Sequence, residues 1–472
     1  FLSWQSSPLT LVLMVASAAI GGTLQYGYNL AIMNAPTAVS YVLKLEGYQV
    51  TLVWTIIVSI FSLGGFAGAL IAGKKCLLLN NVFLMSGSLF ALTSRAAKSF
   101  EMIIISRVLI GINAGTWVNL PMYFGECAPK HLRGAISLSS AVFTAFGVVL
   151  GQVVGLREIL GSESCWQYLL ACNAIPGFIQ LLTLPWFPES PRYLLIDRGD
   201  KEAFCLQRLR GCEVQSSELD EILQEQAETR GVRPSRPWEL FTDRSVRWQL
   251  ISVIIISSAM QLCGNDSIYF YSSYVFKEAG ISDDQIQYFT IGTGTCEFTN
   301  LLVERKGRRF MLTGGFLLMT IWAVVFTVAL VFEVSVQLYH KMLWIKLYVM
   351  VNCSKCSLGQ TGVTGVLPTE IFNQATRPAA YMIAGSMMWL NLFIVGMIFP
   401  FLVSGLREYC FVPFGAVCLS SALYIGLFLP ETKGKSLSAI TREFNKLNFK
   451  GQDKLSESQT ETHKNSQLTT QL

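Results

Sequence analysis

The basic stretch Arg305-Lys-Gly-Arg-Arg309 lies between two long apolar segments in the second half of a 472-residue chain. Two further charged motifs end the halves of the chain, Pro188-Glu-Ser-Pro-Arg192 after the first and Pro430-Glu-Thr-Lys-Gly-Lys435 after the second. Because a similar acidic and basic signature recurs after each half, the sequence predicts a duplicated membrane protein. Internal duplication is typical of membrane carriers, so the pattern favours transport over catalysis.

The composition excludes most classes of soluble protein. The chain is 52% hydrophobic and only 14% charged, whereas a soluble protein carries about a quarter charged residues. Apolar runs of about 20 residues recur, which is the length that a helix needs to cross a hydrocarbon core. The formal net charge of +5 does not indicate nucleic acid as a partner. We predict the lipid bilayer as the surroundings of the chain.

Twelve apolar segments follow one another, six on each side of a central polar stretch. They span 9–33, 50–73, 76–94, 101–122, 135–156, 166–187, 249–276, 286–303, 310–333, 343–367, 379–403 and 409–430. Six plus six is the pattern of the major facilitator fold, in which two halves rock about a midplane site. We therefore predict an all-α membrane protein with twelve transmembrane helices in two six-helix halves and a cytoplasmic helical loop.

These segments predict four regions: a first half at 1–187, a central loop with short helices at 188–248, a second half at 249–430 and a largely disordered tail at 431–472. Lys and Arg gather after the even-numbered segments, and loops that stay in the cytoplasm keep such residues. Both termini are therefore expected in the cytoplasm. The first apolar run has no small-residue cleavage site with a basic flank, so we expect a retained span.

Carboxylates and guanidiniums recur near the predicted span ends. The candidates are Glu126 and Arg133 after span 4, Glu304, Arg308 and Arg309 after span 8, Glu370 and Arg377 after span 10, and Glu189, Arg192 and Glu431 in the motifs that end the halves. Such groups can pair bidentately across helices, and pairs near water break at small cost. Membrane-edge anchoring is the alternative for any one cluster. Recurrence at matching positions favours a gating network.

Polar side chains inside spans are costly and usually face a cavity. Asp266, Glu297 and Gln152 are such groups, and they are the acceptors and amide donors that a polyhydroxylated ligand requires. Aromatic faces for its C–H surfaces are available from Tyr26, Tyr28, Tyr269, Tyr271 and Trp389. Packing is the alternative for any one aromatic residue, and proton carriage is the alternative for the two carboxylates.

An enzyme is not predicted, because the sequence carries no nucleophile–base pair. The twelve cysteines lie mostly in apolar runs and form no CxxC pair with a matching His cluster. We predict neither a cofactor nor a metal site.

Five motifs then identify a family. They are Tyr26-Gly-Tyr-Asn-Leu30, Gly125-Glu-Cys-Ala-Pro129 with Arg133-Gly134, Pro188–Arg192, Val303-Glu-Arg-Lys-Gly-Arg-Arg309 and Pro430–Lys435. In these, and from about Leu9 to Asn448, the chain resembles the facilitative sugar transporters of the major facilitator superfamily. Within that family it is most similar to the second class of solute carrier family 2, which carries fructose and glucose.

The resemblance implies energy-independent uniport of a hexose, glucose or fructose, by alternating access across the plasma membrane. It also implies that the sugar site contains Gln152, Gln261, Asp266 and Glu297, with Tyr26 and Trp389 near it. Gly365 falls where glucose-selective members carry a tryptophan. The smaller residue is expected to widen the cavity, which fits tolerance of fructose.

Several features depart from the family pattern. Only Lys74-Lys75 remains of the basic loop between spans 2 and 3, and Lys346 and Lys355 fall within span 10. Span 8 is shorter than a hydrocarbon core. A transport-impaired paralogue or splice form that acts as a sensor or scaffold is therefore an alternative function. A proton-coupled sugar symporter is a weaker one, since it would need a carboxylate in span 1, which has no Asp or Glu.

Overall fold

A computed structural model describes residues 9–34, 48–71, 76–116, 123–124, 127, 133–162, 164–183, 185, 235–264, 266, 269–271, 282–300, 307–331, 364–365, 367–373, 375–433, 435 and 437–448. The first half has helices α1 Leu9–Gly21, α2 Thr23–Ala31, α3 Tyr48–Ile71, α4 Cys76–Ala97, α5 Glu101–Thr116, α6 Arg133–Val154, α7 Trp166–Ala171 and α8 Ala174–Thr183. The second half has α9 Pro237–Thr242, α10 Arg247–Leu262, α11 Asp283–Asn300, α12 Arg308–Val331, α13 Arg377–Leu406, α14 Val412–Phe428 and α15 Leu437–Asn448. Short 3₁₀ turns lie at Ile32–Asn34, Arg244–Val246 and Arg407–Tyr409.

Several helical stretches are long and apolar enough to cross a membrane. Within the ranges above, five qualify by length and composition: Leu11–Ala31, Leu52–Ile71, Arg244–Leu262, Arg308–Val325 and Arg377–Leu406. Ser139–Val154 and Val412–Phe428 are shorter apolar helices. Large apolar side chains such as Leu89 and Leu427 project from the bundle surface, where hydrocarbon would cover them.

Most helices begin and end close to the predicted segments, but predicted spans 1, 6 and 7 are interrupted. Predicted span 7, at 249–276, is helical in α10 only to Leu262, and Gly264 beyond it has a φ of +82°. Predicted span 1 is divided into α1 and α2 at Gly22, and predicted span 6 into α7 and α8. Predicted span 8 is α11, whose 18 residues give a helix about 27 Å long at 1.5 Å per residue. The loop at 72–75 and most of predicted span 10 lie outside the described residues.

Glycines set how closely the helices of the first half approach. A methyl group built on Gly64 or Gly115 would overlap a carbonyl oxygen of the facing helix in the α3–α5 pair. A methyl group built on Gly27 or Gly147 would likewise overlap a carbonyl oxygen of the facing helix in the α2–α6 pair. Small residues allow such backbone contact between membrane helices, where van der Waals packing drives association. The two helix pairs are therefore closely packed around the side chains between them.

The two halves meet along two helix pairs, α3 with α13 and α6 with α11. One apolar core joins them, since Phe61 of the first half and Trp389 and Tyr271 of the second belong to the same buried cluster. A second core, which includes Leu240, Phe316 and Phe444, lies within the second half. Interior side chains near α3, α6, α11 and α13 therefore lie at the boundary between the halves.

Candidate functional site

Trp389 on α13 is the centre of an aromatic cluster between the halves. Its side chain is 1% exposed and lies edge-on to Tyr26, with ring centroids 5.4 Å apart, and to Phe61, at 5.6 Å. Gly65 of α3 supplies the space for the ring, because a methyl group there would overlap the indole. The indole Nε1 has no hydrogen-bond partner in the part of the chain described. It is a buried donor left available at the boundary between the halves.

Gln152 and Gln261 are buried amides, one from each half. Gln152 on α6 is 7% exposed and Gln261 on α10 is 0% exposed. Neither the Oε1 nor the Nε2 of either residue finds a partner among the described residues. Gln152 Oε1 faces α11, where a methyl group on Gly294 would overlap it. Each unsatisfied buried polar group costs about 1–3 kcal/mol, and a ligand rich in hydroxyls would recover that energy.

The other predicted aromatics differ in what their hydroxyl groups do. Tyr28 Oη donates to the Leu169 carbonyl at 2.8 Å, and Tyr271 Oη donates to the Gly396 carbonyl at 2.8 Å. These two hydroxyls tie helices together. Tyr269 packs in a small apolar cluster with Ala31 and Val148. All three side chains are buried.

Three predicted site residues are described only in part. The Gly365 carbonyl accepts a hydrogen bond of 2.7 Å from Tyr381 Oη, which fixes the backbone at the position predicted to widen the cavity. Asp266 is half-buried in a helical turn beyond α10. Glu297 lies on α11, but its side chain is outside the described part of the chain. Their contribution to a sugar site stays a prediction.

Arg107 on α5 was missed by the sequence reasoning. It is 1% exposed, its Nη1 donates to Asn29 Oδ1 at 3.3 Å, and its Cζ lies 4.4 Å from the centre of the Phe61 ring. Asn29 and Asn173 exchange two amide hydrogen bonds of 3.1 and 3.0 Å. The signal was present, because Arg107 falls inside predicted span 4 and charges within spans mark functional positions.

Charged residues also meet beside the starts of α12 and α13. Arg308 Nη2 lies 3.2 Å from Glu370 Oε1, and its Nε donates to the same oxygen at 3.2 Å. Thr432 Oγ1 donates to the other Glu370 oxygen at 2.5 Å. Glu370 therefore joins the residue that begins α12 to the chain that follows α14. The sequence analysis predicted ion pairs between charged residues at these span ends, and the structure places Arg308 and Glu370 in contact.

The Glu431 carboxylate accepts hydrogen bonds from backbone N–H groups beside the start of α12. Its carboxylate accepts the N–H of Arg308 at 2.9 Å, Arg309 at 3.2 Å, Thr432 at 3.1 Å and Lys433 at 3.0 Å. Burial acts to raise the pKa of Glu431, but the four N–H donors together outweigh it and hold the pKa below its ordinary value. Two of these donors lie in the first turn of α12, where the helix dipole also favours an anion.

The remaining predicted gate residues are dispersed or lie outside the described part of the chain. Arg309 donates to the Gly426 carbonyl, and Arg377 Nη2 donates to the Phe372 carbonyl at 3.3 Å. Arg133 begins α6, with its side chain outside the described positions. Glu126, Glu189, Arg192 and Glu304 also lie outside them. A gating role for this set stays a prediction.

At the opposite end of the helices, two hydrogen bonds join the halves. The Arg157 N–H donates to Gln287 Oε1 at 3.2 Å, and Tyr288 Oη donates to Glu158 Oε1 at 3.4 Å. The four residues lie just after α6 and in the first turns of α11. Both helices therefore remain in contact beyond Gln152.

Within the described ranges, no group of three or more His, Cys, Asp or Glu could hold a metal ion.

Comparisons with known proteins agree with this architecture. The family described as "Sugar (and other) transporter" matches residues 14–444. The human facilitated glucose transporter member 11 of solute carrier family 2 is 48% identical over 468 residues, which cover 93% of this chain and 94% of the relative. Mouse member 5 is 40% identical over 471 residues, with 93% of each chain covered. The solved structure of the major facilitator proton:xylose symporter XylE, bound to 6-bromo-6-deoxy-D-glucose, has a TM-score of 0.77 and 24% identity, and covers 92% of this chain and 99% of that one. The predicted all-α major facilitator fold is confirmed.

Proposed function

The chain belongs to the sugar transporter family, within solute carrier family 2, and on that premise we propose that it is a facilitative uniporter for a hexose. Its substrate would be glucose, since the relatives compared above are named as facilitated glucose transporters, or fructose, which the small residue Gly365 is expected to admit. The bilayer in question would be the plasma membrane, with both termini in the cytoplasm. The chain is a multi-pass membrane protein and not an enzyme.

The observation that carries the proposal is two buried amides that have no hydrogen-bond partner among the described residues, Gln152 from the first half and Gln261 from the second. A sugar hydroxyl both donates and accepts, so one hexose can satisfy the Oε1 and Nε2 of each amide. The Trp389 Nε1 is a further buried donor, and Tyr26 lies against the same ring. When a hexose enters such a site, its hydroxyl groups would take the place of water as hydrogen-bond partners of these side chains.

Transport would follow from the position of Gln152 and Trp389 at the boundary between the halves. Sugar bound to both halves favours the conformation in which they approach, and release requires them to separate. The Arg308–Glu370 pair is partly exposed, with side-chain exposures of 31% and 20%, so it can break at small cost. Glu431 would preserve the turn beside α12 while that pair opens.

Uniport is favoured over proton coupling by the surroundings of Arg107. The side chain bonded to its guanidinium is Asn29, a neutral amide. No carboxylate contacts Arg107 among the described residues, and 9–34, which form α1, α2 and their 3₁₀ turn, contain no Asp or Glu. Among the described residues, Arg107 therefore has no carboxylate partner whose protonation could couple proton movement to this buried charge.

Uptake of labelled fructose and glucose into proteoliposomes tests the proposal. We expect saturable uptake that equilibrates the sugar and does not depend on a proton gradient. Accumulation driven by the gradient would favour symport. No saturable uptake of either sugar would sink the uniporter and favour a sensor or scaffold.

Two variants connect the uptake to the site. Gln261→Ala removes one amide and is expected to raise the KM for sugar by about twofold to tenfold, since a hydrogen bond contributes about 0.5–1.5 kcal/mol. Gln285→Ala is the matched control, because Gln285 is exposed at the start of α11. Equal kinetics for both variants would count against the site.

A further inference from the structure

The segment just before α10 carries an exposed aromatic pair that sugar transport does not use. Trp238 and Phe241 on α9 are 61% and 62% exposed, and residues three positions apart share a helix face. Leu240 beside them is 1% exposed and belongs to the core of the second half. The helix is therefore anchored through Leu240 while two large rings project outward.

The segment is held in one shape. The Arg236 N–H donates to Glu239 Oε2 at 2.8 Å, and the Ser245 N–H donates to Asp243 Oδ1 at 2.9 Å, so both carboxylates cap backbone turns. From α15, Asn448 Nδ2 donates to the Ser245 carbonyl at 2.6 Å. The aromatic pair therefore projects from a fixed platform.

Basic side chains lie on the same segment as the two rings. Arg236, Arg244 and Arg247 are all exposed, and the Cζ of Arg236 lies 5.3 Å from the centre of the Trp238 ring. An arginine beside an aromatic ring combines a cation–π contact with a planar donor set that matches phosphate oxygens. This surface therefore carries both apolar and phosphate-binding groups.

The location of the surface indicates its ligand. It overlaps the first residues of the candidate membrane span Arg244–Leu262, at the end that the proposed orientation places in the cytoplasm. Tryptophan is enriched at the level of lipid headgroups, and the cytoplasmic leaflet carries the anionic lipids that attract Lys and Arg.

We propose that residues 236–247 form a binding surface for the headgroups of anionic phospholipids in this leaflet. Trp238 and Phe241 lie among the headgroups, while Arg236 and Arg247 bind lipid phosphate. The proposal goes beyond sugar transport and shares with it only the orientation of the chain.

The test is a thermal melt of the full chain in detergent, titrated with phosphatidylserine or with phosphatidylcholine. We expect phosphatidylserine to raise the Tm of the wild type at lower concentration than phosphatidylcholine does. In Arg236→Gln/Arg247→Gln, the half-saturating concentration of phosphatidylserine is expected to rise about thirtyfold, since the two cations together contribute about 2 kcal/mol near an anionic surface. Arg236→Lys/Arg247→Lys keeps the charge and is expected to retain most of the response. Sugar uptake, measured separately, reports on the transport proposal.

Arg442→Gln/Lys446→Gln is the matched control, because it removes the same charge from exposed positions of α15. Its lipid response is expected to equal that of the wild type. Trp238→Ala/Phe241→Ala keeps every charge and is expected to weaken binding of both lipids. The readout is a concentration dependence, so a lower Tm without lipid does not obscure it. Equal responses of the wild type to the two lipids, or an equal loss in the control, would overturn the proposal. An unchanged response in Arg236→Gln/Arg247→Gln would overturn it too.

Discussion

Gly65 on α3 and Trp389 on α13 are in direct contact, and the indole ring occupies the space that a side chain at Gly65 would take. The contact joins the two halves of the transporter beside Tyr26 and Phe61. A ring as large as indole can lie there only because the facing residue has no Cβ. The packing of this one pair therefore affects both the stability of the bundle and the relative position of its halves.

Gly65→Ala is expected to lower the free energy of unfolding by about 1–3 kcal/mol, since the added methyl group forces the indole or its helix to move. The penalty applies to the conformation in which Gly65 and Trp389 are in contact. If about 1.4 kcal/mol of it is absent when the two halves separate, the equilibrium between these conformations shifts tenfold. We expect a lower Tm in detergent and slower sugar uptake. Gly292→Ala is the control, because a methyl group on Gly292 meets nothing within 4 Å. A Tm for Gly65→Ala equal to that of the control would contradict the contact.

Gln152→Met is expected to raise the Tm while it raises the KM for sugar. Methionine has a similar length but no buried amide, so the cost of an unsatisfied polar group disappears. Gln180→Met is the matched control, because Gln180 Oε1 accepts from Asn81 Nδ2 at 2.9 Å. Its Tm is expected to fall with the KM unchanged. A lower Tm in Gln152→Met would instead indicate a structural role for Gln152.

Much of the fold follows from the sequence because membrane helices need long uncharged runs. The starts of α3, α4, α5 and α12 lie within two residues of the predicted segments. The breaks inside predicted spans 1, 6 and 7 were not predicted, since each was read as one continuous apolar segment. Hydropathy averages over a window, and it does not detect a local departure from helical geometry.

The candidate site was only partly predictable. Gln152 could be found because an amide in an apolar run is costly, and the same rule applied evenly would have found Arg107. The pairing of Arg308 with Glu370 joins residues 62 positions apart, so it depends on how the helices are arranged. That the Glu431 carboxylate takes backbone donors could not be read from residue types.

Glu431 gives a pH dependence whose sign follows from its lowered pKa. A carboxylate with a lower pKa in the folded state stabilises the fold above its unfolded pKa, which is about 4.3, and loses that contribution as the pH falls through the folded value. Glu431→Gln is therefore expected to lower the Tm by a constant amount between pH 8 and pH 6. The difference from the wild type should shrink below about pH 4.3.

The control for this pH series is Glu443→Gln, because Glu443 forms a surface pair with Lys435 at 2.6 Å. A surface pair contributes about 0–1 kcal/mol, so the Tm of Glu443→Gln should stay close to that of the wild type. The measurement is a thermal melt of each protein from pH 3.5 to pH 8. A difference for Glu431→Gln that grows as the pH falls would contradict the backbone interactions described for this carboxylate.

Substitutions at Arg107 and Asn29 test whether Asn29 stabilises the buried guanidinium. Asn29→Leu removes the acceptor of Arg107 Nη1 and is expected to cost about 1.5–3 kcal/mol, the contribution of a hydrogen bond to a charged group. Adding Arg107→Met should restore part of the Tm, because the buried charge is then gone. In Asn173→Leu, which breaks the amide pair but leaves that acceptor, adding Arg107→Met should give no recovery. Equal recovery in both backgrounds would mean that Arg107 is destabilising whatever its neighbour, and that Asn29 does not stabilise the charge.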